Sequence, residues 1–394
     1  MRTLIGRRQL LAGAGAALLV RALDGCTAGD GNVRRADATP VLDLPRLRAS
    51  PDRITSITVC TRPFRAEGPR LDVEQVGATT VVHNYGHGGS GWSLSWGSSA
   101  LAVEHAMATG RREVAVIGCG ALGLTSALLL QRAGARVVIY AKELPPNVRS
   151  SLATGVWTPD SRICFEENAT PAFRTLWEGM TRRSFQTYQT LLGLPGSPVE
   201  YIDNYVVIDG PPGQGRAPAA ADDRPKFAML QRDLHGELST AAEEFGPGSH
   251  RFGARTLRRR SMLMFNIAVY ARLLVSDFLA NGGRIEVAEF HSPAEFAGLR
   301  QRTVVNATGY GARALFGDRS VTPVRGQLAR AVPQPDVGYG LLYRNVAFVP
   351  RRDGFVFQAL GDSDYYGFGD ESTLPDRGEA ELAVNTIASL FTPG

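Results

Sequence analysis

In Glu113-Val114-Ala115-Val116-Ile117-Gly118-Cys119-Gly120-Ala121-Leu122-Gly123 a short apolar strand pattern runs directly into a G-x-G-x-x-G turn. Leu124 to Ala133 then carries apolar residues at helical spacing, Gly134 ends that segment, and Arg136-Val137-Val138-Ile139-Tyr140 reads as a second strand. Strand, glycine turn, helix and strand in this order form a dinucleotide-binding unit. Gly118 permits the tight turn, Gly120 lets backbone N–H groups approach a pyrophosphate, and Gly123 lets the helix pack on the strand. The N-terminus of the helix offers its partial positive charge to the phosphates. Glu143, just past the second strand, is placed to bind ribose hydroxyls. A purely structural glycine turn is the plainer alternative, but it leaves the flanking strands and the acid without a purpose. The turn alone does not separate FAD from NAD.

Outward from this unit, the chain has 394 residues, 44% hydrophobic and 21% charged, enough for one large domain or two ordinary ones with a sizeable core. The formal charge of +5 is mild and spread along the chain, and Lys142 and Lys226 are the only lysines. No basic block has the length of a nucleic-acid footprint. Cys26, Cys60, Cys119 and Cys164 form no C-x-x-C pair and no zinc pattern, and a Cys60–Cys164 disulfide has no support beyond the presence of both residues.

Arg7-Arg8-Gln9-Leu10-Leu11, followed by an apolar run from Leu10 to Val20, reads as a twin-arginine export signal over residues 1–30. The run is too short and too rich in Gly and Ala to span a bilayer comfortably. That route carries folded proteins, which suits a chain that loads a cofactor before export. Leu23-Asp24-Gly25-Cys26 loosely matches a lipoprotein box, with Asp24 a poor fit, so Cys26 is a candidate lipid anchor. Residues 31–40 are small and polar and read as a linker.

His83-Asn84-Tyr85-Gly86-His87-Gly88-Gly89-Ser90-Gly91-Trp92-Ser93 is a far more specific run than the turn. It resembles the C-terminal signature of the D-amino-acid oxidase family, which includes D-aspartate oxidases. Thr61-Arg62-Pro63-Phe64-Arg65 resembles the family's R-P-x-R segment, and Ser150 to Pro159 its second flavin loop. Val305-Asn306-Ala307-Thr308-Gly309 resembles the strand and turn that return to FAD, and Pro323-Val324-Arg325-Gly326-Gln327 the crossing into the substrate domain. The likeness extends over residues 41–394, but the segments stand in a different order. In the family the glycine turn opens the chain and the HNYGHGG run closes it. Here HNYGHGG comes first and reaches the turn through an expected helix, Ser98 to Thr109, capped by Gly110. The order looks like a circular permutation, which requires the chain near Val41 and near Gly394 to be neighbours.

The resemblance implies FAD as cofactor and an α/β fold: a Rossmann-like FAD-binding domain with a second, mixed-sheet substrate domain. Residues 41–165, 291–325 and 376–394 fall to the FAD-binding domain, and 166–290 and 326–375 to the substrate domain. It further implies that Gly118, Gly120 and Gly123 cradle the pyrophosphate, Glu143 takes the ribose, Ser150 donates to phosphate, and Thr154, Gly155 and Val156 run along the flavin. Gly88 and Gly89 would let the chain pass flat against the ring. Gly91, Trp92 and Ser93 would set a helix start against the flavin's pyrimidine edge, where donors stabilise negative charge. Arg62 would clamp a substrate carboxylate with its planar fork. Tyr343 falls where the family has an active-site tyrosine, while a packed core tyrosine is the plainer reading. The family's second tyrosine is Ala347 here. Arg62, Tyr343 and Gly89 are thus the expected reaction-site residues, and His83 and His87 are expected to be structural.

The reaction implied is oxidation of a D-amino acid to a 2-oxo acid, with oxygen as acceptor. A glycine- or sarcosine-type amine oxidase and a flavin-binding protein without turnover remain alternatives. Elsewhere, Thr175 to Leu192, Met262 to Ala280 and Glu379 to Phe391 are expected helices, with Leu176, Met180, Phe185 and Tyr188 near one face of the first. Val199 to Asp209 reads as strand and 210–225 as a loop. Arg258-Arg259-Arg260 reads as a solvated face or, more sharply, as a reader of an acidic substrate.

Overall fold

A computed structural model describes residues 33–35, 42–210, 223–234 and 237–392. The export signal, Cys26, most of the linker, Val41, Gly394 and the greater part of the 210–225 loop lie outside the described residues.

Two sheets build the molecule. The six-stranded sheet has the order Arg284–Val287, Arg136–Ala141, Glu113–Ile117, Thr303–Asn306, Thr79–His83 and Val73–Val76. All its pairings are parallel except the last. Its inner strands Thr79–His83 and Thr303–Asn306 are buried at every position, as a parallel sheet covered on both faces requires. Helices Gly91–Ala108, Ala121–Arg132 and Ile267–Ala280 contribute to a single hydrophobic core with this sheet. Val81, Ala115, Val304, Phe296 and Leu315 form a separate cluster.

The nine-stranded mixed sheet runs Val33–Arg35, Ala242–Phe245, Thr256–Phe265, Val199–Ile208, Gly340–Tyr343, Val346–Val349, Phe355–Ala359, Thr322–Ala331 and Ile54–Phe64. Helix Arg377–Ala388 packs on it through Ala380, Ala383, Val384 and Ile387. Asp376 starts that helix by accepting the Glu379 N–H at 3.1 Å.

Strand pairing changes the expected domain boundaries. Ile54–Phe64 pairs along its length with Thr322–Ala331, and helix Arg377–Ala388 lies on the same sheet. Both fall in segments that the resemblance assigns to the FAD-binding domain. Adjacency in sequence to a motif does not decide which sheet a strand joins. The segment 42–47 and the C-terminal end of the described chain meet: Leu44, Leu47 and Leu390 share one cluster, with Leu42 and Phe391 packed against it.

Three helices differ from expectation. The first begins at Gly91 rather than Ser98. Gly97 and its neighbouring serines are poor helix formers, but they permit close packing: a Cβ on Gly97 would stand 2.1 Å from the Met180 carbonyl oxygen. Helix Pro171–Gln189 buries Trp177, Met180, Thr181, Ser184 and Tyr188 and leaves Leu176 exposed. The segment Met262 to Ala280 is a strand to Phe265 and a helix only from Ile267. Asn266 makes the break, because its side chain bonds Ser197 O, Glu200 Oε1 and the Arg352 N–H at 2.6, 2.7 and 3.0 Å. Arg258 to Arg260 therefore lie on a strand, where Arg258 pairs with Glu244 and Arg259 with Glu243 and Asp203. None of the three arginines faces the large cavity described next. Cys60, Cys119 and Cys164 are buried free thiols, so no Cys60–Cys164 disulfide forms.

Candidate active site

One cavity of about 1240 Å³ takes its lining from both sheets. Every expected site residue lines it except Gly123 and Tyr343. Gly118, in the left-handed region at φ +111°, makes the turn after Ile117. Gly123 stands behind that turn, where a Cβ would be 2.0 Å from the Gly118 carbonyl oxygen. The helix that follows, Ala121–Arg132, has no acidic residue in its first turn, and Ser150 Oγ accepts its Ala121 N–H at 3.1 Å. The Ser150 hydroxyl is thereby fixed at the helix N-terminus. Glu143 is exposed and lines the cavity.

The second glycine segment reaches the same cavity from the other side. Gly88 N–H donates to Pro63 O and Gly89 N–H to Ser161 O, both at 2.8 Å. Gly88 has φ +54°, and a Cβ there would lie 1.8 Å from the Arg162 carbonyl oxygen. A Cβ on Gly89 would lie 2.5 Å from Ser161 Oγ. The protein's own loop thus already demands glycine at position 88 and crowds position 89, a constraint additional to the passing ring that the motif implied. Helix Gly91–Ala108 starts here with no acidic residue in its first turn and no side-chain cap. Trp92 Nε1 donates to Ser150 O at 2.8 Å and Ser93 Oγ accepts the Thr158 N–H at 2.8 Å, tying this helix start to the loop after Ser150.

A buried hydrogen-bond chain supports it. The Asn84 amide donates to Ser99 and Ser126 hydroxyls, leaving its carbonyl to accept from Ser98 Oγ at 2.6 Å. Ser98 Oγ must then accept from His87 Nε2 at 2.7 Å, so His87 Nδ1 is an unprotonated acceptor. That Nδ1 is buried without a protein partner, on a residue that lines the cavity. Burial pushes the His87 pKa down to about 3, so the ring is neutral at physiological pH.

Thr154 to Val156 is held from the nine-stranded sheet. Thr154 Oγ1 donates to Gln358 at 2.5 Å, Phe265 N–H donates to Gly155 O at 2.7 Å, and the fully buried Arg351 donates to Ala153 O at 2.7 Å. Arg351 is neutralised by Asp353. Burial would raise the Asp353 pKa, but the bond to Arg351 and the charges of Arg351 and Arg330 outweigh it and lower it.

Arg62 lines the same cavity from strand Ile54–Phe64. Its guanidinium lies against Gly326, where a Cβ would be 2.4 Å from Nη2. It donates to Arg325 O at 3.1 Å, and among the described residues no carboxylate pairs with it. Tyr343 is the misplaced expectation. It is 2% exposed, its hydroxyl donates to Asp209 at 3.1 Å, and it packs in the cluster under helix Arg377–Ala388. Strand alternation explains this: Leu342 and its ladder partner Ala347 line the cavity, so Tyr343 does not. Sequence reading missed Arg162, Asn204, Met262, Phe348, Gln358 and Asp364, all of which line the cavity. No periodicity singles them out; Arg162 alone lay beside a quoted motif.

The residues present fit FAD. Two helix N-termini without acidic first turns, a left-handed glycine turn and a buried unpartnered acceptor line one space that reaches from Glu143 to Arg62. The profile of the family described as "FAD dependent oxidoreductase" (DAO) matches residues 113–394. A D-amino-acid oxidase from Rubrobacter xylanophilus is 28% identical over 278 residues, 70% of this chain and 76% of that protein. One from Streptomyces coelicolor is 28% identical over 285 residues, 71% of this chain and 77% of that protein. Among solved structures, iminodiacetate oxidase from Chelativorans sp. BNC1 aligns with a TM-score of 0.46 at 16% identity, covering 70% of this chain and 77% of that one. Among the described residues no helix is long and apolar enough to cross a membrane. With the matched profile spanning well over half of its length, the chain belongs to the FAD dependent oxidoreductase (DAO) family and is an FAD-dependent oxidoreductase of amino acids.

Proposed function

We propose that the protein oxidises D-amino acids to 2-oxo acids and ammonia, with oxygen as the electron acceptor and hydrogen peroxide as the second product. The observation that carries this reading is Arg62, a guanidinium without a carboxylate partner among the described residues, in the same cavity as the two glycine segments. Arg62 binds the substrate carboxylate through its fork and so orients the α-carbon. Leu342, Ala347 and Met262 line the same cavity with apolar side chains, which limits water around the α-carbon. FAD held in this cavity would supply the hydride acceptor and the route for electrons to oxygen. Gly118, Gly120 and Ser150 hold its phosphates, Glu143 its ribose, and the Thr154–Val156 backbone and Gly88–Gly89 its ring. The Gly91–Ser93 helix start places donors where negative charge gathers. His87 remains neutral, so no histidine proton is needed when the amine enters unprotonated. The choice of D-configuration is supported by the relatives' names at 28% identity.

Two wider features belong to the same reading. The profile match begins at residue 113, leaving the His83–Ser93 run upstream of it, which supports a circular permutation of the family order. Residues 1–30 are an export signal of the twin-arginine type, with Cys26 as a candidate anchor, supported by the Arg7-Arg8 pattern.

The test is anaerobic bleaching of the bound flavin by a panel of D- and L-amino acids, glycine and sarcosine. D-amino acids should bleach it and their L-enantiomers should not. Faster bleaching by glycine or sarcosine would move the protein to the glycine- or sarcosine-type amine oxidases, for which Ala347 leaves room. A flavin that nothing bleaches would end the oxidase reading.

A further inference from the structure

A second cation faces the cavity where Arg62 does. Arg62 precedes Pro63, whose carbonyl accepts the Gly88 N–H, and Arg162 follows Ser161, whose carbonyl accepts the Gly89 N–H, both at 2.8 Å. Consecutive glycines are therefore held by carbonyls adjacent in sequence to two arginines, and both arginines line the cavity. Arg162 is held in place. Its backbone takes φ +49°, rare for a residue with a side chain, and its carbonyl fills the space that a Gly88 side chain would need. Its Nε donates to Asp364 O at 2.8 Å, and its guanidinium lies 5.8 Å from the centre of the Phe227 ring.

Neither guanidinium has an ion-pair partner among the described residues. Asp364 shares the corner, and its carboxylate stands beyond ion-pair distance of Arg162. Burial first, and then the Arg62 charge, push the Arg162 pKa down to about 10, with Asp364 opposing. Arg162 nevertheless remains a cation at neutral pH, and two like charges are kept facing one space, offset only by Asp364, which forms no ion pair with either. Such an arrangement is relieved by an anion at each.

We infer that Arg162 is a specificity-determining residue that binds a second acidic group, so that the preferred substrates are amino acids with an acidic side chain. Arg62 takes the α-carboxylate and Arg162 the side-chain carboxylate. This rests on the proposed oxidase reading for the α-carboxylate site, but the second site is testable by binding alone. The run Arg258 to Arg260, the other basic feature that could read an acidic substrate, does not line this cavity, and its Arg258 and Arg259 are paired with acids.

The experiment uses the FAD-loaded protein at low ionic strength and two pairs of probes. Succinate against succinamate, followed by perturbation of the flavin absorbance and by calorimetric titration, reads binding without turnover. D-Aspartate against D-asparagine, as kcat/KM, reads the reaction. Succinate and D-aspartate should lead their amides by at least about tenfold, the scale of one charge-assisted hydrogen bond. Arg162→Gln, with its FAD content checked, should collapse both ratios, and Arg162→Lys should restore part of the succinate preference. Equal binding of succinate and succinamate by the unmutated protein overturns the inference, as does an Arg162→Gln protein that keeps the preference. If no amino acid is turned over but succinate is preferred, the oxidase reading fails and the second site stands. If D-amino acids are oxidised without preference for the acid, the reverse holds.

Discussion

At the scale of single residues, the candidate site is set by groups whose surroundings leave them few choices. His87 is the clearest case. Asn84 orients Ser98, Ser98 dictates the His87 tautomer, and burial keeps the ring neutral. The consequence for stability has a definite sign. In the unfolded chain a histidine takes up its proton near pH 6.5, whereas folded His87 resists it down to about 3. The stabilisation is complete above the unfolded value and drains as pH falls between those two values, by about 1.4 kcal/mol for each pH unit. Denaturant unfolding of the wild type and His87→Gln at a series of pH values should therefore converge on the acid side. Parallel curves would show that His87 does not carry this linkage. Residue identity was readable here only as a motif. The chain of hydroxyls that fixes the tautomer comes from Ser98, Ser99 and Ser126, which no local pattern connects to His87.

At the scale of elements, the loop Ala153–Val156 shows how one sheet holds a segment that serves the other. Arg351 is buried completely, bonds Ala153 O, and is matched by Asp353, with Arg330 alongside. Removing one member of such a pair leaves a buried charge without compensation, at a cost of about 3–5 kcal/mol. Arg351→Ala should lower the unfolding midpoint strongly and loosen flavin retention, and Arg351→Met, which keeps apolar volume, should still release flavin faster than wild type. Flavin release unchanged in both variants would mean that the loop is held by Thr154 and Gly155 alone. Elements with strong periodicity were legible: the strand, turn and helix at Glu113–Arg132, and strand Val199–Ile208. Those decided by neighbours were not. The glycine- and serine-rich start of helix Gly91–Ala108 exists because Gly97 lets Met180 approach, and the break at Asn266 exists because Ser197, Glu200 and Arg352 meet its side chain.

At the scale of the whole molecule, the segment 42–47 and the C-terminal end of the described chain close on one cluster containing Leu44, Leu47 and Leu390. If the order of segments is a permutation, a chain that starts at Arg112, joins residue 394 to residue 42 through a short linker and ends at Gly110 should fold and bind FAD with similar affinity. Expression of that rearranged chain, with flavin content and near-UV circular dichroism as readouts, checks this; a chain that folds only in its present order would refute it. By itself the sequence determined that a strand, glycine turn and helix stand at Glu113–Arg132 and that strands and helices alternate around them, because glycine conformations and apolar periods are local properties; that the HNYGHGG run and Arg62 belong with a flavin site is an expectation carried by the family resemblance. Tertiary structure alone decided that Ile54–Phe64 joins the nine-stranded sheet, that Tyr343 turns into the core while Ala347 faces the cavity, and that Arg162 stands across Gly88–Gly89 from Arg62. Strand partners, the face a residue presents and the meeting of distant loops are fixed by pairing and packing between segments far apart in the chain, which no window of sequence contains.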